Sequence, residues 1–348
     1  MKTIEICAGG GGQALGLHNA GAEHLALVEI DEHACKTLRE NNNKLNLGWG
    51  EVFEGDLAKF IQTKANSFAG QVDLIAGGVP CPPFSKAGKR LGDKDERDLF
   101  PEALDLIKAT KPLAVLIENV PGLMDDEFKN YRRRLKGKLK RAGYKSEWRI
   151  LQANEFGVPQ LRPRAILIAF VEEYFGLFEW PTAFEESPPT VGEALYDLMA
   201  ANGWKKVDNW RDLANEIAPT IVGGSKKHGG PDLGPTRAKN KWQSLSVNGH
   251  RIADPDEVPS GSFKGVQFKR NGGLRKGYEM MPLLTVEMVA RLQGFPDNWS
   301  FIGKKTHAYR QVGNAFPPPV AEAVGRQIMK VISKIKHDYQ IRHAEAAE

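Results

Sequence analysis

The stretch Gly77-Gly78-Val79-Pro80-Cys81-Pro82-Pro83-Phe84-Ser85 has residue types suited to covalent chemistry. It follows an apolar run ending at Ala76, so Cys81 falls on a loop stiffened by prolines just after a strand. A thiol held that way is presented to a substrate and kept out of the core. A second apolar run ends in Ile117-Glu118-Asn119-Val120-Pro121, which leaves a carboxylate where an unpartnered charge would be costly. Glu118 is therefore a candidate catalytic acid, with capping of the next turn as the alternative. Gln160-Leu161-Arg162-Pro163-Arg164 stands directly before another apolar run, and alternation puts Arg162 and Arg164 on one face. Two guanidiniums there suit a carboxylate such as Glu118, a bound nucleotide, or a plain salt bridge.

Nucleotide-like binding is suggested near the start of the chain. Ala8-Gly9-Gly10-Gly11-Gly12-Gln13-Ala14 follows the run Thr3 to Cys7, and Gly9, Gly11 and Ala14 satisfy G-x-G-x-x-A where a helix should begin. Small residues let a backbone approach a ligand, although a tight turn alone would also use them. Glu29 closes the next apolar run, 18 residues after Gly11, and could accept hydrogen bonds from ribose hydroxyls. Asp56, in Gly55-Asp56-Leu57, could read an adenine amino group or simply cap a helix.

These residues require a scaffold that delivers them to one edge. Between Lys2 and about Phe170, short apolar runs alternate with helix-like segments, as in a doubly wound α/β sheet. The expected strands are Thr3 to Cys7, Leu25 to Ile30, Val72 to Ala76, Leu113 to Glu118 and Ala165 to Phe170; helices are expected over His33 to Glu40, Glu102 to Ala109 and Glu127 to Arg141. Loops that carry chemistry then lie at strand C-termini. After Trp180-Pro181 the chain becomes rich in Gly, Pro, Asn and Trp, which reads as a second domain. Its basic, Gly-rich segment Ser225 to Trp242 includes Lys226, Lys227, Arg237, Lys239 and Lys241, and suits phosphate contact or a solvated loop. Pro317 to Lys334 reads as a proline-started amphipathic helix, with fraying from about His337. The basic run from Arg132 to Arg141 lies on a helix leading away from the catalytic edge and reads as a solvated face.

Composition narrows the class. The chain has 348 residues, is 41% hydrophobic and 26% charged, and carries a net charge of +5, which permits a polyanionic partner without demanding one. Cys7, Cys35 and Cys81 show no C-x-x-C spacing, against a disulfide framework or a structural zinc site and in favour of a reducing cytoplasm. No apolar stretch approaches the roughly 18 residues of a membrane span, and none resembles a signal peptide.

Taken together and in order, these segments resemble the DNA (cytosine-5) methyltransferase family from residue 4 to about residue 324. The Gly-rich turn resembles the family's first motif, Glu29 and Asp56 its ribose and adenine contacts, and Pro80-Cys81 its catalytic loop. Glu118-Asn119-Val120, Gln160-x-Arg162-x-Arg164, Arg291 to Pro296 and Gln311 to Ala315 resemble the later motifs. The resemblance implies a Rossmann-like S-adenosylmethionine-dependent methyltransferase fold over residues 1–182 plus 305–348, with a smaller, irregular target-recognition domain over 183–304. It implies cofactor contacts from Cys7, Gly9, Gly11, Gly12, Glu29, Ile30, Asp56, Leu57 and Asn314, and DNA contacts from Ser85, Lys226, Lys227, Arg237 and Lys239, with Trp242 also a candidate base reader.

The implied chemistry is attack of Cys81 on C6 of a flipped-out cytosine, so that C5 becomes nucleophilic toward the cofactor's methyl group. Glu118 would act at N3, Arg164 would hold the O2 edge, and Arg162 would orient Glu118 or a neighbouring backbone. Two departures stand out: Cys7 and Ile30 occupy positions where the family usually places adenine-packing aromatics, and Pro82 stiffens the residue after the nucleophile. The implied setting is a monomer in the cytoplasm, acting on double-stranded DNA in a restriction-modification system whose nuclease is a genetic partner. A tRNA methyltransferase on the same fold, a nicotinamide-dependent oxidoreductase and a non-catalytic DNA-binding regulator are the alternatives; no cysteine here is followed by the Phe-Thr that marks the tRNA-methylating relatives.

Overall fold

The computed structural model describes residues 1–80, 98–224, 231–267 and 274–345. Cys81, Ser85, Lys226 and Lys227 lie outside the described residues. The chain divides into two compact units: Met1–Leu151 with Pro163–Thr182 and Val320–Glu348, and Gln152–Arg162 with Ala183–Pro319.

The first unit is built on seven strands, β1 (Lys2–Ile6), β2 (Glu23–Glu29), β3 (Glu51–Glu54), β4 (Leu74–Gly77), β5 (Ala114–Asn119), β6 (Tyr144–Gln152) and β7 (Pro163–Val171), in the order β3-β2-β1-β4-β5-β7-β6. β1 pairs in parallel with both β2 and β4, β2 with β3 and β4 with β5, so these five strands end at one edge. β7 runs antiparallel to β5, and its first residues therefore lie at the edge where β5 ends. That reversal places the start of β7 beside the loops that carry chemistry.

Helices α1 (Gly12–Asn19), α2 (Glu32–Leu45), α3 (Leu57–Lys64), α4 (Phe100–Thr110) and α5 (Lys129–Arg141) connect the strands. Ile4, Ile6, Val28, Ile75, Val115 and Ile117 form the sheet side of a core completed by Phe60, Leu104, Ile107, Leu135 and Leu139 from helices. The alternation of apolar runs and helices is what a parallel sheet covered by helices demands. Asp31 starts α2 by accepting from the His33 and Ala34 amides, at 3.1 and 3.2 Å. Gly11 starts α1 from the left-handed region, at φ 84°, a conformation that favours glycine.

The five expected strands form, each within three residues of its expected ends. β3 and β6 carry no comparable signal in the sequence. β3 is four residues with charged ends, and β6 alternates buried Tyr144 and Ser146 with exposed Lys145 and Glu147, so neither has the apolar run that marks a buried strand.

The second unit contains α6 (Val191–Ala200), α7 (Val207–Leu213), α8 (Thr236–Ser244), the antiparallel pair β8 (Gly265–Gln267) and β9 (Leu274–Glu279), α9 (Val286–Leu292) and α10 (Lys305–Asn314). Its boundaries differ from the expected 183–304, because residues 152–162 and 305–319 group with it. The reason is a set of buried polar ties. Gln160 Nε2 donates to Leu292 O and to Gln293 Oε1, Gln293 Nε2 donates to Val312 O, and Arg162 reaches α10's end. The final helix, α11 (Pro318–Glu345), extends beyond His337, where the sequence suggests fraying.

Candidate active site

The loop after β1 turns through Cys7 at φ 52°, Gly9 at φ 54° and Gly11 at φ 84°. Cys7 is a non-glycine residue in left-handed backbone, which costs roughly 1 kcal/mol. Its thiol is pushed well up by burial and by the charges of Glu29, Glu5 and Asp56, so it stays neutral. Glu29, at the end of β2, is buried, and its carboxylate accepts from Gly9 N at 2.7 Å, Ile30 N at 2.9 Å and Asp31 N at 2.8 Å. Three amides hold its charge and clamp the glycine turn to the neighbouring strand end.

Ile30 follows with 68% of its surface exposed, directly beside the Glu29 carboxylate. Asp56 caps α3 by accepting from Ala58 N at 2.7 Å and remains exposed, while Leu57 is buried. A fixed acceptor, an exposed apolar side chain, an exposed carboxylate and an open backbone at Gly9 fit the nucleoside part of a cofactor. Asn314, expected as a cofactor contact, ends α10 in the second unit, where its side chain lies in the space a Cβ on Gly223 would need.

At the end of β5, Glu118 is 9% exposed and its Oε1 lies 2.8 Å from Arg164 Nε. β7 delivers Arg164 there because Glu118 pairs with Ile166 and Asn119 with Ala165 in the antiparallel ladder. Arg164 Nη1 donates to Pro163 O at 2.8 Å, whereas Nη2 bonds to none of the described residues. Burial lowers the Arg164 pKa and the Glu118 charge opposes that shift. The pair is a buried charge couple with one donor group in reserve.

Two residues without a role assigned from sequence complete this edge. Glu118 Oε2 sits 3.1 Å from where a Cβ on Gly78 would be, so the absent side chain lets the carboxylate lie against the cysteine-loop backbone. Asn119 Nδ2 donates to Val79 O at 3.0 Å, and Val120 N donates to Asn119 Oδ1 at 2.8 Å. Asn119 thus fixes the backbone two residues ahead of Cys81. The asparagine beside Glu118 is a legible signal; the reason for Gly78 is not.

Arg162 does not share the environment of Arg164. It precedes β7, belongs to the second unit and is fully buried. Its guanidinium donates to Ile221 O, Gly313 O and Ala315 O, at 2.5, 2.8 and 2.8 Å. Of the two roles expected for Arg162, the described bonds are those of a backbone clamp, because three inward-facing carbonyls need a donor that a planar guanidinium can supply.

Arg237 is exposed on α8, and Lys239 is tied to Asp232 at 2.8 Å. Trp242, expected as a candidate base reader, is fully buried and serves the core of this unit.

A sequence profile of the family described as C-5 cytosine-specific DNA methylase matches residues 1–330. The chain is 48% identical to the Type II methyltransferase M.NgoMIV of Neisseria gonorrhoeae, over 96% of this chain and 99% of that protein. It is 49% identical to the Type II methyltransferase M.NaeI of Lentzea aerocolonigenes, over 96% of this chain and 76% of that protein. Among solved structures, a protein encoded within an E. coli prophage superimposes with a TM-score of 0.61 at 22% identity, covering 96% and 99% of the two chains, which shows a shared fold. With the profile spanning nearly the whole sequence and two relatives near half identity, the chain belongs to the C-5 cytosine-specific DNA methylase family and is a DNA (cytosine-5) methyltransferase.

Proposed function

We propose that the enzyme methylates cytosine through a covalent adduct with Cys81, using S-adenosylmethionine, and that Glu118 and Arg164 hold the base. The observation that carries this reading is the buried Glu118–Arg164 couple at 2.8 Å, set against the backbone that leads into Cys81. Cytosine C5 is a weak nucleophile. Attack of the Cys81 thiolate on C6 forms an S–C bond and shifts electron density to C5, while Glu118 donates a proton or hydrogen bond at N3 to accommodate it. Arg164 Nη2 is the donor left for the O2 carbonyl, a charge-assisted contact of the kind that stabilises developing negative charge.

When bound, S-adenosylmethionine supplies an electrophilic methyl group. Gly9, Gly11, Gly12, Glu29, Ile30, Asp56 and Leu57 are the first unit's residues proposed to hold it, with Glu29 accepting from the ribose. Loss of the C5 proton and re-formation of the C5–C6 double bond then expel the Cys81 thiolate. Cys81 needs access to C6, which a stacked duplex hides, so the base must leave the stack at a cost of a few kcal/mol.

The Type II relatives support a restriction-modification role, with methylation of one short duplex site protecting it from a cognate nuclease. A monomer in the cytoplasm is the corresponding setting; among the described residues no helix is long and apolar enough to cross a membrane.

The test is transfer of labelled methyl from S-adenosylmethionine to unmethylated duplex DNA, followed by sequencing of the modified positions. A duplex with 5-fluorocytosine at the modified position should trap a protein–DNA adduct, because fluorine cannot leave as the C5 proton does. Cys81→Ser should abolish both transfer and trapping. Undiminished transfer by Cys81→Ser would overturn the covalent route.

A further inference from the structure

Helix α5 carries eight lysines and arginines in 13 residues and no acidic residue. That excess is larger than the net +5 of the whole chain, so the remainder of the molecule is net negative. Tyr131, Leu135 and Leu139 form its buried stripe, and helical periodicity turns the cations away from it. Arg133, Lys136 and Lys140 make one row at i, i+3, i+7, and Arg134, Lys138 and Arg141 make another at i, i+4, i+7; all six are exposed. Asn130 and Gly137 fall between the rows.

A merely solvated helix of this charge density mixes charge signs, as α2, α4 and α11 of this unit do. Lys36 pairs with Glu32, Arg39 with Glu54, Lys108 with Asp105 and Arg326 with Glu322. Arg133, Lys136, Lys138, Lys140 and Arg141 have no ion pair or side-chain hydrogen bond among the described residues. Like charges three and four residues apart repel on a helix surface, so this arrangement destabilises α5 on its own. A polyanion laid along the rows relieves the repulsion. At 1.5 Å per residue the helix offers about 20 Å of positive surface, and duplex DNA presents one phosphate charge per roughly 1.7 Å of axis.

We propose that α5 is a sequence-independent binding surface for the phosphates of duplex DNA, separate from the residues that act on the target base. This rests on the DNA substrate of the enzyme and extends it: α5 would hold duplex that carries no target site, as an enzyme must while searching. The occupant is DNA because the chain's own reaction brings that polyanion to it.

The experiment uses the full chain and a quadruple variant, Lys136→Gln, Lys138→Gln, Lys140→Gln and Arg141→Gln. Binding to a duplex of about 60 base pairs without a target site is measured from roughly 50 to 200 mM salt. The slope of log affinity against log salt should shrink by about 0.9 for each phosphate that is no longer neutralised, or roughly 3 to 4 in total. Methylation of a short duplex that spans only the target site should keep its kcat. Exchanging the three lysines for arginine should preserve the slope. If the quadruple variant misfolds, Lys136→Gln and Lys140→Gln alone should each lower the slope by about 0.9.

An unchanged slope overturns the proposal, including when the variant instead loses binding to phosphatidylserine vesicles or to an acidic protein. Absence of methylation by the unaltered chain would count against the reaction assigned above and leave the slope comparison intact.

Discussion

Glu118 is surrounded by residues that explain its position, and each makes a distinct prediction. Glu118→Gln should lower kcat by about 10²-fold or more, the range for losing a positioned acid. It should also destabilise the first unit, because Arg164 is left buried with an uncompensated charge; kcat and the urea midpoint measure the two effects separately. Gly78→Ala would bring a methyl group to 3.1 Å from Glu118 Oε2. Its expected result is a fall in kcat with little change in stability. Gly77→Ala differs, because the new Cβ would lie 2.3 Å from Ile6 O within the β1–β4 pairing. That variant should lose stability first, and a thermal melt distinguishes the two neighbours. Glu29 and Glu118 are legible in the sequence because each is a charge at the end of an apolar run. The reason for Gly78 is not, since it depends on a partner 40 residues away in the chain, and the tie from Asn119 to Val79 spans the same distance.

Among the elements, α1 rests on two buried titratable groups that no sequence pattern singles out. Glu5 in β1 is fully buried, and desolvation raises its pKa well above the carboxylate range, opposed by the Ala14 amide. His24 in β2 contacts Ala14 O at 2.9 Å, and because a carbonyl only accepts, Nε2 carries the proton. Burial pushes the His24 pKa down to about 4. Its folded value lies below the unfolded one of about 6.5, so the stabilisation is present above pH 6.5 and is lost as pH falls toward 4. The unfolding free energy from denaturant titrations should decline on the order of 3 kcal/mol between pH 7 and 4 from this group, and His24→Asn should flatten that decline. In α5, Gly137 lies mid-helix, with a substituted Cβ meeting Arg141 Nη1 at an ordinary 3.7 Å. Gly137→Ala should stabilise the helix by about 0.5–1 kcal/mol, seen in the thermal melt. Helices and buried strands are readable because their spacing is local; β6 is not, because its alternation leaves charged residues where a core strand has none.

Over the whole molecule, the sequence indicates two domains, and the two compact units also place residues 152–162 and 305–319 with the second. The boundary depends on Arg162 and Gln160, whose partners in the second unit lie 59 to 153 residues away. Long-range carbonyl clamps leave no local pattern, and Arg162 and Arg164 look equivalent in a motif although their environments differ. Arg162→Lys should therefore destabilise the second unit by several kcal/mol, since an ammonium cannot serve the three carbonyls as a planar fork does; differential scanning calorimetry would register it. The residues proposed to touch DNA are the least legible part, because Arg237 and Lys239 lie on α8 within a stretch that reads as a loop, and Trp242, which looks available in the sequence, is core. The β5–β7 ladder has one further consequence. Six backbone pairings, and not a loop, bring Arg164 to Glu118. The register of a sheet, and not the conformation of a connection, therefore sets where the guanidinium stands, so this half of the site is inherited together with the ladder that builds it.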